Sequence, residues 1–255
     1  MDRIAQVAAI DQNLFGVWRT FAGACQGGEV AEEAELLFVS FGIPVVQLNA
    51  VFVTAKPVAA EAALERAREF FGSRGLPYLV RAPEGVARVL EPAARRAGMA
   101  ELDPLPGMVL DPLPATAPPV PEGLAIRSAR PGEPTMADYL RVLSQGFEVP
   151  PGLAEIFAAG AAVAGGRIQP LVGYVGDEAV ACAAVFLTGR VAGLYNVATG
   201  PGRRGRGFGQ ALTWAAIDAG RRAGADVAVL QSTPSGEPVY RKMGFRRVTC
   251  YRHFG

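Results

Sequence analysis

The stretch Leu194-Tyr195-Asn196-Val197-Ala198-Thr199-Gly200-Pro201-Gly202-Arg203-Arg204-Gly205-Arg206-Gly207-Phe208-Gly209 reads as an apolar strand that opens into a glycine-rich turn and then a helix. That order predicts an anion cradle. Glycines remove side chains that would block a ligand, so successive backbone N–H groups can point at one anion from a helix N-terminus. Arg203, Arg204 and Arg206 add charge and forked donors suited to a pyrophosphate. Two other readings compete: a solvated basic turn, and a dinucleotide fingerprint, since Gly200 to Gly205 also fits G-x-G-x-x-G. Against the fingerprint, only 50 residues follow Gly205, too few for the rest of a doubly wound sheet. The next strand candidate, Asp226–Gln231, ends in Gln231 and Ser232 where a ribose-binding acid is wanted, and Pro201 removes one N–H from the cradle.

Downstream, Arg204-x-x-Gly207-x-Gly209 is followed by a helical pattern over Gly207–Ala223, the Asp226–Gln231 strand, and Tyr240-Arg241-Lys242-Met243-Gly244-Phe245. This combination resembles the GCN5-related N-acetyltransferase (GNAT) family over roughly residues 122 to 255. There, Q/R-x-x-G-x-G/A holds the coenzyme A pyrophosphate and a Tyr precedes a Gly-Phe pair by four residues. The resemblance implies a pantetheine arm beside Val197, Ala198 and Thr199, and a pyrophosphate on Gly205, Arg206, Gly207, Phe208, Gly209 and Gln210, with Arg204 at the Q/R position. The Phe208 and Leu212 side chains, spaced with Ala216, are expected in the core. An Asn that binds pantetheine in many relatives is replaced by Thr233, which offers one hydroxyl in place of an amide. Tyr240 matches the family's general acid, a donor for the departing thiolate; packing against Phe245 is the alternative role.

No general base stands out. Tyr195 and Asn196 occupy the strand where many relatives carry a Glu. Glu148, after the acceptor-side helix, Glu237, three residues before Tyr240, His253, the only histidine, and a water chain all remain open. The expected activity is transfer of an acetyl group from acetyl-CoA to a primary amine, on a small molecule or a peptide, by direct attack in a ternary complex. A non-catalytic acyl-CoA-binding or regulatory protein, and a transferase of longer acyl groups, are the alternatives.

Charge adds an exclusion. With 25 basic and 24 acidic residues the net charge is +1, so no global field favours nucleic acid or an anionic membrane. Cys25, Cys182 and Cys250 lack C-x-x-C spacing, which argues against a zinc site or a disulfide framework, and no metal is expected. Only Lys56 and Lys242 are lysines among abundant Ala, Gly, Pro and Arg, a bias that suggests a bacterial GC-rich gene. Met1-Asp2-Arg3-Ile4 shows no secretory pattern, which makes the cytoplasm the default. Leu36–Ala55 has no charge for 20 positions, but Gly42-Ile43-Pro44, Gln47 and Asn49 interrupt it. Two buried strands are expected there, not a membrane span. Monomer and homodimer are not distinguished.

Five prolines between Asp111 and Glu122 predict an extended connector. The expected organisation is a first α/β domain over 1–111, a linker over 112–121 and the GNAT-like domain over 122–255, a mixed sheet flanked by helices. In the first domain we expect helices near 4–18, 61–71 and 84–97, and strands at 36–41, 45–54, 76–80 and 108–110. In the second we expect strands at 124–127, 169–175, 179–188 and 191–199, and helices near 135–145 and 153–163. The first half contains neither R-x-x-G-x-G nor Tyr-x-x-x-Gly-Phe. It fits either a degenerate repeat of the family fold or an unrelated α/β domain, and the resemblance implies a scaffolding or acceptor-shaping role.

Overall fold

The computed structural model describes residues 1–57 and 59–255. Its first half runs α1 (Arg3–Ala24), β1 (Glu29–Glu33), β2 (Leu36–Ser40), a 3₁₀ turn (Val46–Leu48), β3 (Asn49–Val53), α2 (Ala60–Gly72), β4 (Leu79–Pro83), α3 (Glu84–Arg96) and β5 (Glu101–Leu110). The second half runs β6 (Leu124–Ser128), α4 (Pro134–Phe147), α5 (Pro151–Val163), β7 (Ile168–Val175), β8 (Glu178–Thr188), β9 (Val191–Thr199), α6 (Phe208–Arg222), β10 (Val227–Gln231), α7 (Glu237–Lys242) and β11 (Arg246–Phe254). Neither helix nor strand occurs between Asp111 and Gly123.

All the described strands join one mixed 11-stranded sheet in the order β1-β2-β3-β4-β11-β5-β10-β9-β8-β7-β6. The two halves exchange their last strands. β5 lies antiparallel to β10, with Val109 opposite Val229, and β11 lies antiparallel to β4, with His253 opposite Arg81. Between them β5 and β11 pair with each other, Gly107 opposite Thr249.

Alternation along the strands separates two apolar layers, as period-two geometry requires. On β2 and β3, Leu37, Val39 and Phe52 pack with α1, whereas Leu36, Phe38, Val51 and Val53 pack with α2 and α3. On β9, Ala192 and Leu194 face α6, while Ala198 joins the layer under α4 and α5. Helices α1, α4 and α5 therefore cover one face and α2, α3 and α6 the other. The α1 start is fixed by Asp2, whose carboxylate accepts from the Ala5 N–H at 2.8 Å.

Three expectations change. Residues 45–54 are not one strand, because the Asn49 side-chain amide donates to the carbonyls of Ile43 (2.8 Å) and Val45 (3.1 Å) and winds the chain into a turn before β3. β5 begins at Glu101, well before Met108, and Pro104, which has no N–H to pair, falls in the register shift between Leu102 and Leu105. β1, Glu-Val-Ala-Glu-Glu, carries too many acids to read as a strand. Its edge is charged, with Glu29, Glu32 and Glu33 paired to Arg74, Arg19 and Arg66. The charge-free stretch from Leu36 is the antiparallel pair β2–β3 joined by the 3₁₀ turn. No described helix is long and apolar enough to cross a membrane.

Candidate active site

β9 is where the sheet opens. It pairs in parallel with β10 only through Val191, Ala192 and Gly193, opposite Val227, Ala228 and Val229. From Leu194 to Thr199 its β10-side edge has no strand partner, while its other edge continues along β8 as far as Ala181–Thr199. A bulge breaks that second ladder: Asn196 and Val197 oppose the single residue Ala183, and Asn196 takes a left-handed backbone at φ 56°. Side chains hold it. The Asn196 amide donates to the Tyr139 hydroxyl at 2.9 Å, and the buried Cys182 thiol donates to the Asn196 carbonyl at 3.4 Å. The sequence signal was an Asn inside an apolar strand, a residue that tolerates positive φ.

Past Thr199 the chain enters the glycine loop. None of the backbone N–H groups from Arg204 to Gln210 donates to another described residue; bonding resumes with the Ala211 N–H to the Gly207 carbonyl at 2.9 Å. Gly207 caps α6 at φ 78°, a conformation costly for any side chain with a Cβ. A Cβ at Gly209 would lie 3.1 Å from Thr199 Oγ1 and 4.0 Å from a Val197 methyl, so glycine there lets α6 sit directly on the end of β9. Phe208 is buried in the α6 core, as its spacing predicts, and Gln210 is exposed.

The three arginines differ. Arg203 is paired with Glu178. Arg204 donates to the carbonyls of Gly146 (3.1 Å) and Thr199 (3.5 Å), tying the end of α4 to the end of β9. Arg206 is exposed and has no ion-pair partner among the described residues. A helix N-terminus with free N–H groups and a free cation suits a diphosphate.

Tyr240, on α7, packs into the α6 core and meets Phe245 edge-on with ring centroids 5.9 Å apart. Burial pushes its hydroxyl up to about 12, and the Thr213 hydroxyl beside it pulls the value partway back. Thr213 in turn donates to the Gly209 carbonyl at 2.8 Å, which links Tyr240 through α6 to the loop. Thr233 closes the turn before α7: its hydroxyl accepts from the Gly236 N–H at 3.1 Å and meets Ser235 Oγ at 3.1 Å. α7 starts at Glu237, with Pro238 in its first turn, where a missing N–H costs no helical bond.

Residues 142–245 match the model of the Acetyltransferase (GNAT) family. The second half of the chain carries a GNAT domain. A GCN5-related N-acetyltransferase from Kribbella flavida shares the fold at a TM-score of 0.73 with 17% identity, covering 95% of this chain and 93% of that one. Another, from Sphaerobacter thermophilus, has a TM-score of 0.68 at 16% identity, covering 87% and 76%. A tandem GNAT protein from the clavulanic acid biosynthesis pathway has a TM-score of 0.61 at 14% identity, covering 86% and 77%. No curated protein matches the chain significantly.

The base candidates of the GNAT domain fall in different surroundings. Glu237 is bound by Arg241 at 2.6 Å and 2.9 Å. His253 is a core residue on β11, its pKa pushed down to about 3 by burial and by neighbouring Arg81, so it stays neutral at physiological pH. Glu148 is exposed at the left-handed end of α4, at φ 56°.

On the α4–α5 face a cavity of about 500 Å³ reaches Asn196. Val45, Gln47 and Leu48 of the first half form one wall, and Leu143 and Phe147 of α4, Val149 in the link, Leu153 and Phe157 of α5 and Asn196 of β9 form the rest. Two buried polar residues hold that wall from behind: Asn49, through its bonds to the Ile43 and Val45 carbonyls, and Arg81, which donates to the Gln47 carbonyl at 2.9 Å and stacks 4.4 Å over the Trp18 ring. Among the described residues Arg81 has no carboxylate partner and its Nε is unpaired, and burial lowers its pKa to about 10. A separate cleft of about 440 Å³ lies outside α6 under Pro118 to Pro121, touching Gly207 and Gln210 but no residue of β9. No group of three or more acidic, His or Cys residues able to hold a metal occurs among the described residues.

Proposed function

We propose that this chain transfers an acetyl group from acetyl-CoA to a primary amine, with both substrates bound together. The observation that carries the reading is the run of unpaired N–H groups from Arg204 to Gln210, placed where β9 parts from β10. Such a row of donors at a helix start fits a diphosphate, and the unpaired edge from Leu194 to Thr199 can pair with an amide-bearing arm as a strand would.

Acetyl-CoA would supply the acetyl group as a thioester, open to attack by the amine. Gly205, Gly207, Phe208, Gly209 and Gln210 would hold the diphosphate through backbone N–H groups, with Arg206 adding charge and Arg204 keeping α4 against the strand end. Val197, Ala198 and Thr199 would align the pantetheine through their backbone, and Thr233 has a single hydroxyl to add. A backbone N–H near Thr199 would polarise the thioester oxygen as charge develops. Tyr240 stays protonated through the neutral range, so it acts as a donor to sulfur, and the excess proton of the attacking amine restores it. Positioning supplies most of the acceleration.

The division at 112–121 belongs to the same proposal: residues 1–111 and 122–255 are two versions of one unit that exchange a strand, and only the second holds the coenzyme. Titration with acetyl-CoA by calorimetry, with thiol release followed over an amine panel, tests the reading. Binding with release supports it. Binding without release favours a coenzyme-binding regulator, and absence of binding removes the coenzyme assignment.

A further inference from the structure

The cavity beside Asn196 bears on the acceptor, and this inference rests on the transferase reading. Its lining combines Leu48 of the first half with Val149, Leu153 and Phe157, and among the described residues its only polar members are Gln47 and Asn196. No charged residue lines it; Glu148 is exposed and outside the lining although Phe147 and Val149 on either side belong to it. Asn196 spends its amide N–H on Tyr139, and its side-chain oxygen has no partner among the described residues.

We propose that this cavity is the acceptor subsite and that it takes a primary amine on an uncharged apolar body, with the 3₁₀ turn of the first half as a specificity wall. A carboxylate or second ammonium on the acceptor would be desolvated there with nothing to pair it. An aromatic or alkyl body would instead exchange water for Leu48, Leu153 and Phe157. The volume falls in the range of small-ligand sites. The apolar lining also disfavours an ammonium, so the amine binds neutral and needs no strong side-chain base. Asn196 Oδ1 can accept from that neutral amine at the bulge. The wall is built rather than incidental, because Asn49 and Arg81 pin its backbone from behind.

Calorimetry on the full-length protein, with and without acetyl-CoA, would compare 2-phenylethylamine and hexylamine with phenylalanine, which adds a carboxylate, and 1,6-diaminohexane, which adds a second cation. Thiol release is followed on the same samples. The expected result is at least tenfold tighter binding of the two apolar amines. Leu48→Asp should reduce that preference at least tenfold, and Phe157→Leu should weaken 2-phenylethylamine more than hexylamine, both without change in acetyl-CoA affinity and with a cooperative unfolding transition retained. Equal or tighter binding of phenylalanine or the diamine, an unchanged preference in Leu48→Asp, or no binding of either apolar amine would overturn the assignment. Failure of acetyl-CoA to bind would instead count against the transferase reading, while the amine titrations still report on the cavity.

Discussion

Strands β3 and β9 each lie antiparallel to the strand before them, run parallel to the strand after them and lead into a helix on the same face of the sheet. They differ beyond the parallel pairing. β3 ends at Val53, one residue past its last partnered position, and the link to α2 contains no glycine. β9 continues for six residues after Gly193, bulges at Asn196, and hands over to a loop holding Gly200, Gly202, Gly205 and Gly207. Shared strand order is therefore not enough to give a helix start with a run of free N–H groups. Extra strand length, a bulge and glycines at the helix start are what distinguish the second half.

The largest expected effect breaks the comparison by separating the halves. Residues 122–255 alone would lose β5, leaving β10 and β11 with unpaired edges and Met108, Val109 and Leu110 missing from two core layers. We expect no cooperative unfolding transition by circular dichroism; a native-like melt would show that the exchanged strand is dispensable. Tyr240→Phe comes next. It should lower turnover by about 10²-fold while the acetyl-CoA Kd stays put, since in the proposed reaction the hydroxyl serves the departing sulfur and not the diphosphate. An undiminished rate in steady-state assays would take Tyr240 out of the reaction and leave its contact with Phe245 as its role.

The exchange of β5 and β11 was not legible in the sequence, because partner choice in a sheet is settled by long-range packing that no local pattern encodes. The glycine loop was legible for the opposite reason: φ near 78° at Gly207 and the contact of Gly209 with Thr199 are local demands that one residue type meets. Tyr240 and Phe245 were readable as a short-range motif. The cavity on the α4–α5 face was hidden, since Leu48 and Leu153 stand far apart in the chain and meet only through the fold. Asn196 was visible as a polar interruption, yet its bulge depends on Tyr139 and Cys182 from other elements.

Smaller effects sharpen the contrast between the two helix starts. Gly207→Val would place a branched side chain at positive φ, at a cost of ~1–2 kcal/mol, and should weaken acetyl-CoA binding about tenfold. Ala59→Gly, at the start of α2, should leave that affinity unchanged; calorimetry on both variants checks the pair. The smallest effect concerns the wall supplied by the first half. Arg81→Met should raise the KM for an apolar amine by about fivefold through loss of one hydrogen bond to the Gln47 carbonyl, with the acetyl-CoA Kd unaffected. Thermal stability should hold or rise, because the replaced cation is buried without a carboxylate. A fall in melting temperature with unchanged KM would make Arg81 structural only.

On this account one of the two helix starts, and not the other, receives the coenzyme. Hydrogen exchange on the full-length protein, with and without acetyl-CoA, reads both at once. Strong new protection is predicted for the amides from Arg204 to Gln210 and along Val197 to Thr199, with no change at the start of α2. Protection at α2, or none at the glycine loop when the coenzyme is bound, would contradict it.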